Sequence, residues 1–141
     1  MANWRWFGGA HQRVYRWTGG RIGARMGGIE ILLVDTIGRK TGRVRTVALA
    51  CYPYGDDVAV VASNNGSDRD PVWWLNLQAQ PVVNVQRGRR RCEAKAERLS
   101  VDEKEAFWPE IIASNPRQAN YRERSSRDLP VIVFRLAEPA A

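Results

Sequence analysis

The chain has 141 residues, of which 44% are apolar and 26% are charged. This length is typical of one domain, and the composition excludes a disordered, collagen-like or coiled-coil protein. The 22 basic residues outnumber the 15 acidic ones, which gives a formal net charge of +7, and only three of the 22 are lysine. Because the planar guanidinium group binds phosphate and carboxylate groups bidentately, this arginine bias favours recognition of anions.

Residues 1–28 are predicted to form a basic leader, with five arginines, five aromatic residues and no acidic residue. A short helix is expected between about His11 and Arg25, interrupted or ended by Gly19-Gly20. The leader lacks the continuous apolar segment of a secretory signal or a membrane span, so the sequence predicts a cytoplasmic protein. Interleaved arginine and tryptophan also suit an anionic membrane surface, so peripheral membrane contact through residues 1–29 is a further expectation.

Residues 29–137 are predicted to form a mainly β domain with helical insertions, and residues 138–141 a frayed tail. Strands connected largely as hairpins do not alternate with helices as a parallel sheet requires, which favours an antiparallel barrel of about six strands. The turn between the second and third strands is expected at 53–57. The expected strands are rich in β-branched and aliphatic residues and cover 29–34, 44–52, 58–62, 82–86, 91–99 and 131–136.

Two helices are predicted inside this domain. Asp70-Pro71 has the pattern of an N-cap acid followed by a proline at the first helical position, which indicates a helix over 72–78. Residues 100–103 read Ser-Val-Asp-Glu, a capping box that predicts a second helix, which Asn115-Pro116 ends. No regular element is predicted between residue 117 and Asp128. The apolar face of the second helix is expected to comprise Phe107, Trp108, Ile111 and Ile112.

Two kinds of catalytic or metal site are excluded by residue type. The only histidine is His11, and no Gly-x-Ser-x-Gly motif occurs, which argues against a hydrolase with a histidine triad. Cys51 and Cys92 have no cysteine or histidine at metal-ligand spacing, so neither a zinc site nor a disulfide scaffold is expected.

Two segments remain as candidate ligand sites. The turn between Gly38 and Arg45 combines glycines with cations that can converge on one anion, although it lacks the spacing of a phosphate-binding P-loop. The polar residues 62–66 leave a strand end and lead to the helix start near Pro71, an arrangement common in ligand-binding loops. The alternatives are a solvated basic hairpin turn for the first segment and a plain connector with a core tryptophan for the second.

Five motifs in these segments and beyond them together resemble the deazaflavin-dependent nitroreductase and quinone reductase family. The resemblance extends in order from about Gly19 to Leu136, and its specificity comes from the spacing of the whole set. The motifs are Gly38-Arg39-Lys40-Thr41-Gly42-x-x-Arg45, Val61-Ala62-Ser63, Pro71-x-Trp73-x-x-Asn76-Leu77, Trp108-Pro109 and Pro130-Val131-Ile132-Val133.

The resemblance implies a split β-barrel enzyme that uses reduced coenzyme F420. That coenzyme carries a deazaflavin ring on a ribityl chain ending in phosphate, lactate and several glutamates, and a basic chain suits such a polyanion. The matched positions imply that the phosphate end is held by Lys40, Thr41, Gly42 and Arg45. They further imply that Ala62, Ser63 and Asn64 lie under the ring and that Pro71 and Trp73 form the wall beside it.

The same resemblance implies hydride transfer to a small-molecule acceptor. Asn115 and Gln118 stand where nitroimidazole-reducing relatives have tyrosines, so a quinone or an activated enone is the expected acceptor. Ser63 is expected to hydrogen-bond the acceptor oxygen, and Tyr121 to line the pocket or relay a proton. The protein is expected to be a monomer or a homodimer without a metal.

Two other functions remain as alternatives. The basic leader and residues 87–91, which include four arginines, could neutralise nucleic-acid phosphates, but no base-reading motif accompanies them, and no nucleic-acid partner is expected. A split barrel that binds FMN or haem is the other alternative, and the colour of the purified protein distinguishes it.

Overall fold

A computed structural model describes residues 25–26 and 28–137. Within these residues the chain forms eight β-strands, three α-helices and one 3-10 helix, Asn64–Gly66. The strands are β1 (Arg25–Met26), β2 (Ile29–Ile37), β3 (Val44–Ala50), β4 (Tyr52–Tyr54), β5 (Asp57–Val61), β6 (Val82–Arg87), β7 (Arg90–Arg98) and β8 (Val131–Leu136). The helices are α1 (Val72–Ala79), α2 (Val101–Ser114) and α3 (Arg117–Arg124).

The strands form one antiparallel sheet that curls into a barrel. Its hydrogen-bonded order is β3-β2-β6-β7-β8-β5-β4, and β1 also pairs with β2. The strands at the two ends of this order, β3 and β4, are consecutive in the chain and are separated only by Cys51. Because one run of chain supplies both end strands, the sheet must curl round on itself, which confirms the predicted antiparallel barrel.

The barrel interior is filled by alternate residues of the strands. Leu32 and Val34 of β2 face the same interior cluster as Ile132 and Phe134 of β8, and all four are essentially inaccessible to solvent. Side chains of α1 pack against this cluster as well. The period-2 alternation of the strands is therefore the pattern that selects the inward-facing residues.

A second apolar cluster lies on the outer face of β5 and β8, where α2 packs. Phe107, Trp108 and Ile111 of α2 join Val131 and Val133 of β8 in this cluster. Strand β8 is consequently buried on both faces, which explains why it reads as a continuous apolar run. The predicted apolar face of α2 is confirmed, with Ile112 only partly buried.

The described residues form eight strands rather than the predicted six or so, because two short strands lack the β-branched and aliphatic composition of the others. Strand β4 contains Pro53 and Tyr54, which pair with Val58 and Asp57, so the predicted turn over residues 53–57 is wrong. The connection is a two-residue turn, made possible by Gly55 with a φ of 60°. The other added strand, β1, has only two residues and no periodicity to detect.

The structure also corrects two of the helix predictions. Pro71 itself occupies the N-cap position of α1, without a side-chain cap, so the prediction of Asp70 as the N-cap is wrong. Helix α3 was not expected, because its sequence is polar and only Gln118 in it is buried.

The remaining helix features follow the sequence closely. The capping box of α2 is confirmed, since Glu103 N–H donates to Ser100 Oγ at 3.2 Å and Ser100 N–H donates to Glu103 Oε1 at 3.0 Å. The helix expected in the leader lies outside the described residues, apart from Arg25, which begins β1. In the described part of the chain, no helix is both long enough and apolar enough to cross a bilayer.

Candidate active site

The turn between β2 and β3, residues 38–43, is held in a tight loop by its own backbone. Gly42 N–H donates to Gly38 O at 2.8 Å, and Gly38 N–H donates to Arg43 O at 2.8 Å. Gly42 has a φ of 71°, and a Cβ on Gly38 would lie 2.7 Å from Thr41 Oγ1. Glycine is therefore favoured at position 42 by its backbone conformation, and a side chain at position 38 would displace the Thr41 hydroxyl.

This β2–β3 turn presents cations to solvent. Lys40, Arg43 and Arg45 are exposed, and no acidic side chain among the described residues pairs with them. Thr41 Oγ1 accepts a hydrogen bond from Arg43 N–H at 3.2 Å, which leaves the hydroxyl proton of Thr41 for another acceptor. Lys40, Arg43 and the Thr41 hydroxyl on the turn, together with Arg45 at the start of β3, form a surface suited to a phosphate group.

A buried asparagine ties the β2–β3 turn to α1. Asn76 is 3% exposed, and its Oδ1 accepts hydrogen bonds from Arg39 N at 3.2 Å and from Arg39 Nη1 at 3.3 Å. Helix α1 also carries Trp73 and follows Pro71, so the basic turn and this predicted wall are held together. Pro71 is buried, whereas Trp73 is half-buried and packs on the edge of the barrel core.

The β5–α1 loop, residues 62–71, contains an unusual backbone segment. Asn64, Asn65 and Gly66 have φ angles of 46°, 58° and 80°, three consecutive residues in the left-handed region. Asparagine is among the non-glycine residues that enter this region most readily. Asn64 Nδ2 donates to Arg69 O at 3.2 Å, while the side chain of Ser63 makes no capping hydrogen bond to the 3-10 helix.

Tyr121 lies against this loop. It is half-buried on α3, and a Cβ placed on Gly66 would lie 3.1 Å from Tyr121 O and 3.2 Å from Tyr121 Cα. The structure therefore brings α3 and the loop that carries Ser63 into close contact. Ser63, the other residue predicted to act on the acceptor, lies three residues before Gly66 in this loop and is buried, with 9% of its surface exposed.

Ala62 differs from the other predicted site residues because it is buried in the barrel core. It is 0% exposed, its N–H donates to Pro130 O at 2.9 Å, and its carbonyl oxygen accepts from Arg127 Nη2 at 2.7 Å. Its side chain and both backbone polar groups are thus engaged within the protein. The structure does not bring Ala62 to the surface on which Lys40 and Arg45 lie.

Asn115 and Gln118 also lie inside the protein rather than in an open acceptor wall. They are 7% and 5% exposed, and their side-chain amides donate to Tyr52 Oη at 3.0 and 3.1 Å. Burial raises the pKa of Tyr52, and these two hydrogen bonds oppose that rise. Their amides therefore serve a buried tyrosine on the outer face of the barrel.

Arg127 was missed by sequence reasoning, because an arginine in a polar and basic stretch carries no distinguishing signal. Its guanidinium donates to the carbonyl oxygens of Ala62, Ser63 and Ser67 and to the carboxylate of Asp70. Arg127 thus joins the segment before β8 to the β5–α1 loop, as do Ser125, which donates to Ser67 O, and Ser126, which donates to Asp68 Oδ1.

The chain matches a family model and several known proteins. The family model described as F420H(2)-dependent quinone reductase matches residues 7–135. An F420H(2)-dependent quinone reductase of Mycobacterium tuberculosis is 37% identical over 128 residues, which are 88% of this chain and 86% of that protein.

Two solved structures share the split-barrel fold. An F420-H2 dependent reductase, FDR-A, superposes with a TM-score of 0.67 and 32% identity over 74% of this chain and 92% of its own. A protein described as a domain-swapped dimer superposes with a TM-score of 0.71 and 28% identity over 92% of this chain and 97% of its own. A barrel with an exposed basic turn, a family match over most of its length and these relatives lead to one conclusion: the chain belongs to the F420H2-dependent quinone reductase family.

Proposed function

We propose that the β2–β3 turn, the β5–α1 loop and the start of α1 form the site where reduced coenzyme F420 binds and where a quinone or an activated enone is reduced. When bound, the coenzyme supplies the hydride, and the protein binds it, orients it and excludes water. The observation that carries this proposal is the pair of hydrogen bonds between Arg39 and Asn76, which holds the basic turn against α1.

The chemistry of the basic turn fits the polyanionic end of the coenzyme. Lys40 and Arg45 are exposed and lack acidic partners among the described residues, so they are available for a phosphate group. The Thr41 hydroxyl and the backbone near Gly42 add neutral contacts. Asn64 in the loop and Pro71 with Trp73 at the start of α1 are assigned to the ring.

Ser63 and Tyr121 are assigned to the acceptor. Hydride addition to the conjugated system of a quinone or an enone places negative charge on its carbonyl oxygen, and a hydroxyl donor held nearby stabilises that charge. The Ser63 hydroxyl is not used for capping. Tyr121, whose backbone lies against Gly66 of the same loop, either lines the pocket or relays the proton that completes the reduction.

The acceptor assignment predicts which substrates are turned over. With reduced F420, we expect steady reduction of quinones and cyclic enones and little reduction of bulky nitroimidazoles, because Tyr121 is the only tyrosine of α3. The measurement is the rate of F420 oxidation, followed by absorbance, for a panel of acceptors. Efficient nitroimidazole reduction with inert quinones and enones would contradict the assignment.

A matched pair of serine variants separates the role of Ser63 from general damage. Ser63→Ala should lower kcat at least tenfold while leaving F420 affinity nearly unchanged, because its hydroxyl is needed only as charge develops. Ser114→Ala removes an exposed serine at the end of α2 and should leave both quantities unchanged.

The basic leader is proposed to bring the enzyme to anionic membranes, while the protein otherwise acts in the cytoplasm. Each basic residue near such a surface contributes about 1 kcal/mol, and the attraction is screened by salt. Deleting residues 1–9 should weaken co-sedimentation with anionic vesicles and leave F420 affinity unchanged. Equal, negligible binding of the full chain to anionic and neutral vesicles would count against membrane contact, and a loss of F420 affinity would assign the leader to the active site.

A homodimer is the proposed assembly. The domain-swapped dimer formed by a relative of similar length supports this choice over a monomer.

A further inference from the structure

We propose that Arg127 is a positioning residue that holds the β5–α1 loop in the shape required at the active site, an inference that rests on the proposed function. The arginine belongs to the segment between α3 and β8 and lies on none of the elements assigned to coenzyme or acceptor. It acts through the loop that carries Ser63 and Asn64.

The contacts of Arg127 bridge the two ends of the left-handed segment. Nη2 donates to Ala62 O at 2.7 Å and to Ser63 O at 3.1 Å, just before that segment. Nε donates to Ser67 O at 3.0 Å, just after it. One planar group therefore fixes the spacing between the residues on either side of Asn64–Gly66.

A carboxylate completes the site for the guanidinium. Nη1 donates to Asp70 Oδ1 at 2.8 Å, and the Arg127 side chain is only 16% exposed. Partial burial reduces the competition of water for these charge-assisted bonds. Asp70, which does not cap α1, is thus required for another purpose: it neutralises the cation that orders the loop.

The segment that carries Arg127 is itself firmly held. Ser126 donates from N and from Oγ to Asp68 Oδ1 at 3.1 and 2.7 Å, and these bonds keep the pKa of Asp68 low. On the other side, the buried Lys104 of α2 pairs with Asp128 and donates to Leu129 O at 3.1 Å. The segment is therefore anchored to α2 independently of the loop, and Ser126 adds a second contact to the loop itself.

Helix α3 and two serines also restrain the loop. Gly66 lies against the backbone of Tyr121 with no space for a Cβ. Ser125 Oγ donates to Ser67 O at 3.2 Å, and Ser126 donates to Asp68. Loss of the guanidinium removes the restraint that bridges both ends of the left-handed segment, without removing an apolar side chain from either core cluster.

Lysine cannot reproduce this arrangement. The ammonium group is a single point of donation, whereas the guanidinium uses three nitrogens at once on three carbonyls and one carboxylate. Arg127→Lys keeps the charge and the pairing with Asp70 but loses the bridge across the left-handed segment. Loop exchange and the F420 dissociation constant should therefore rise less in Arg127→Lys than in Arg127→Ala.

The experiment combines hydrogen exchange with coenzyme binding in Arg127→Ala, Arg127→Lys and a control, Arg117→Ala, which removes the same charge from an exposed position on α3. In Arg127→Ala we expect amide exchange in residues 62–70 to rise at least tenfold while exchange in β8 stays at the wild-type rate. The F420 dissociation constant should rise at least tenfold, with an intermediate rise in Arg127→Lys and none in Arg117→Ala.

Three outcomes would overturn the proposal. The first is wild-type exchange and wild-type F420 affinity in Arg127→Ala. The second is a uniform rise in exchange that includes β8, which would make the arginine a general structural residue. The third outcome concerns the case in which Arg127→Ala does not fold. Arg127→Lys then provides the test, and a wild-type rate of exchange in the β5–α1 loop of that variant would contradict the proposal. If the wild-type chain fails to bind F420, the proposed function is wrong. The hydrogen-exchange measurement still shows whether Arg127 orders the loop.

Discussion

Replacing Lys40 and Arg45 together by alanine is expected to raise the dissociation constant for F420 by at least tenfold. Each charge-assisted contact to a phosphate contributes about 1.5–3 kcal/mol. Both side chains are exposed, so solvent screening reduces that value, but two weakened contacts still exceed the 1.4 kcal/mol that corresponds to a factor of ten. Fluorescence titration with the oxidised and the reduced coenzyme measures the effect, which should shrink as ionic strength increases.

A control with the same change in net charge distinguishes a local contact from general attraction. Arg89 and Arg91 are exposed at and next to the β6–β7 turn, and their replacement by alanine removes two positive charges. Arg87 pairs with Leu32 near the start of β2, whereas Lys40 follows its end, so the β6–β7 turn lies at the opposite end of the barrel. Equal affinity losses in the two double variants would contradict the phosphate assignment, as would unchanged affinity in Lys40→Ala with Arg45→Ala.

Ile111→Ala is expected to lower the free energy of unfolding more than any other single substitution proposed above. Ile111 is 0% exposed and joins the cluster between α2 and the outer face of β8. Truncating a buried isoleucine to alanine costs about 2–5 kcal/mol, because apolar contacts are lost and a cavity remains. For a domain of this size the melting temperature should fall by about 10 °C, measured by calorimetry or circular dichroism.

The neighbouring helix position provides the control for this stability measurement. Glu110 is exposed on α2, and Glu110→Ala should change the free energy of unfolding by less than about 0.5 kcal/mol. Because Ile111 lies outside the candidate site, F420 affinity below the melting transition should equal that of wild type. A similar loss of stability in both variants would mean that α2 does not pack through Ile111.

Local sequence was sufficient where a feature depends on residues close together in the chain. The capping box at Ser100 uses a partner three residues away, and its two hydrogen bonds form as expected. The tight turn around Gly38 likewise depends on the conformational freedom of glycine. Enrichment in β-branched and aliphatic residues between turn residues located six of the eight strands that the described residues form.

Residues whose partners are distant in the sequence could not be assigned from the pattern. Asp70 follows the local rule for an N-cap, yet its carboxylate binds Arg127, 57 residues later. Asn115 and Gln118 are polar residues near a helix end, and only the folded chain shows that both donate to the buried Tyr52. Local propensity is weaker than such charge-assisted or buried hydrogen bonds, so the tertiary contact prevails.

By itself, the sequence therefore determined the antiparallel barrel, the helix α2 and the family, because periodicity, capping and motif spacing are properties of the linear chain. Only the tertiary structure decided that Ala62 is buried in the core, that α3 lies against Gly66 and that Arg127 orders the candidate loop. The physical reason is that these features depend on which distant carbonyls, carboxylates and backbone surfaces meet once the barrel has closed. Hydrogen bonds between residues some 60 positions apart produce no recognisable pattern in the sequence. They contribute to stability only when folding has removed both partners from water.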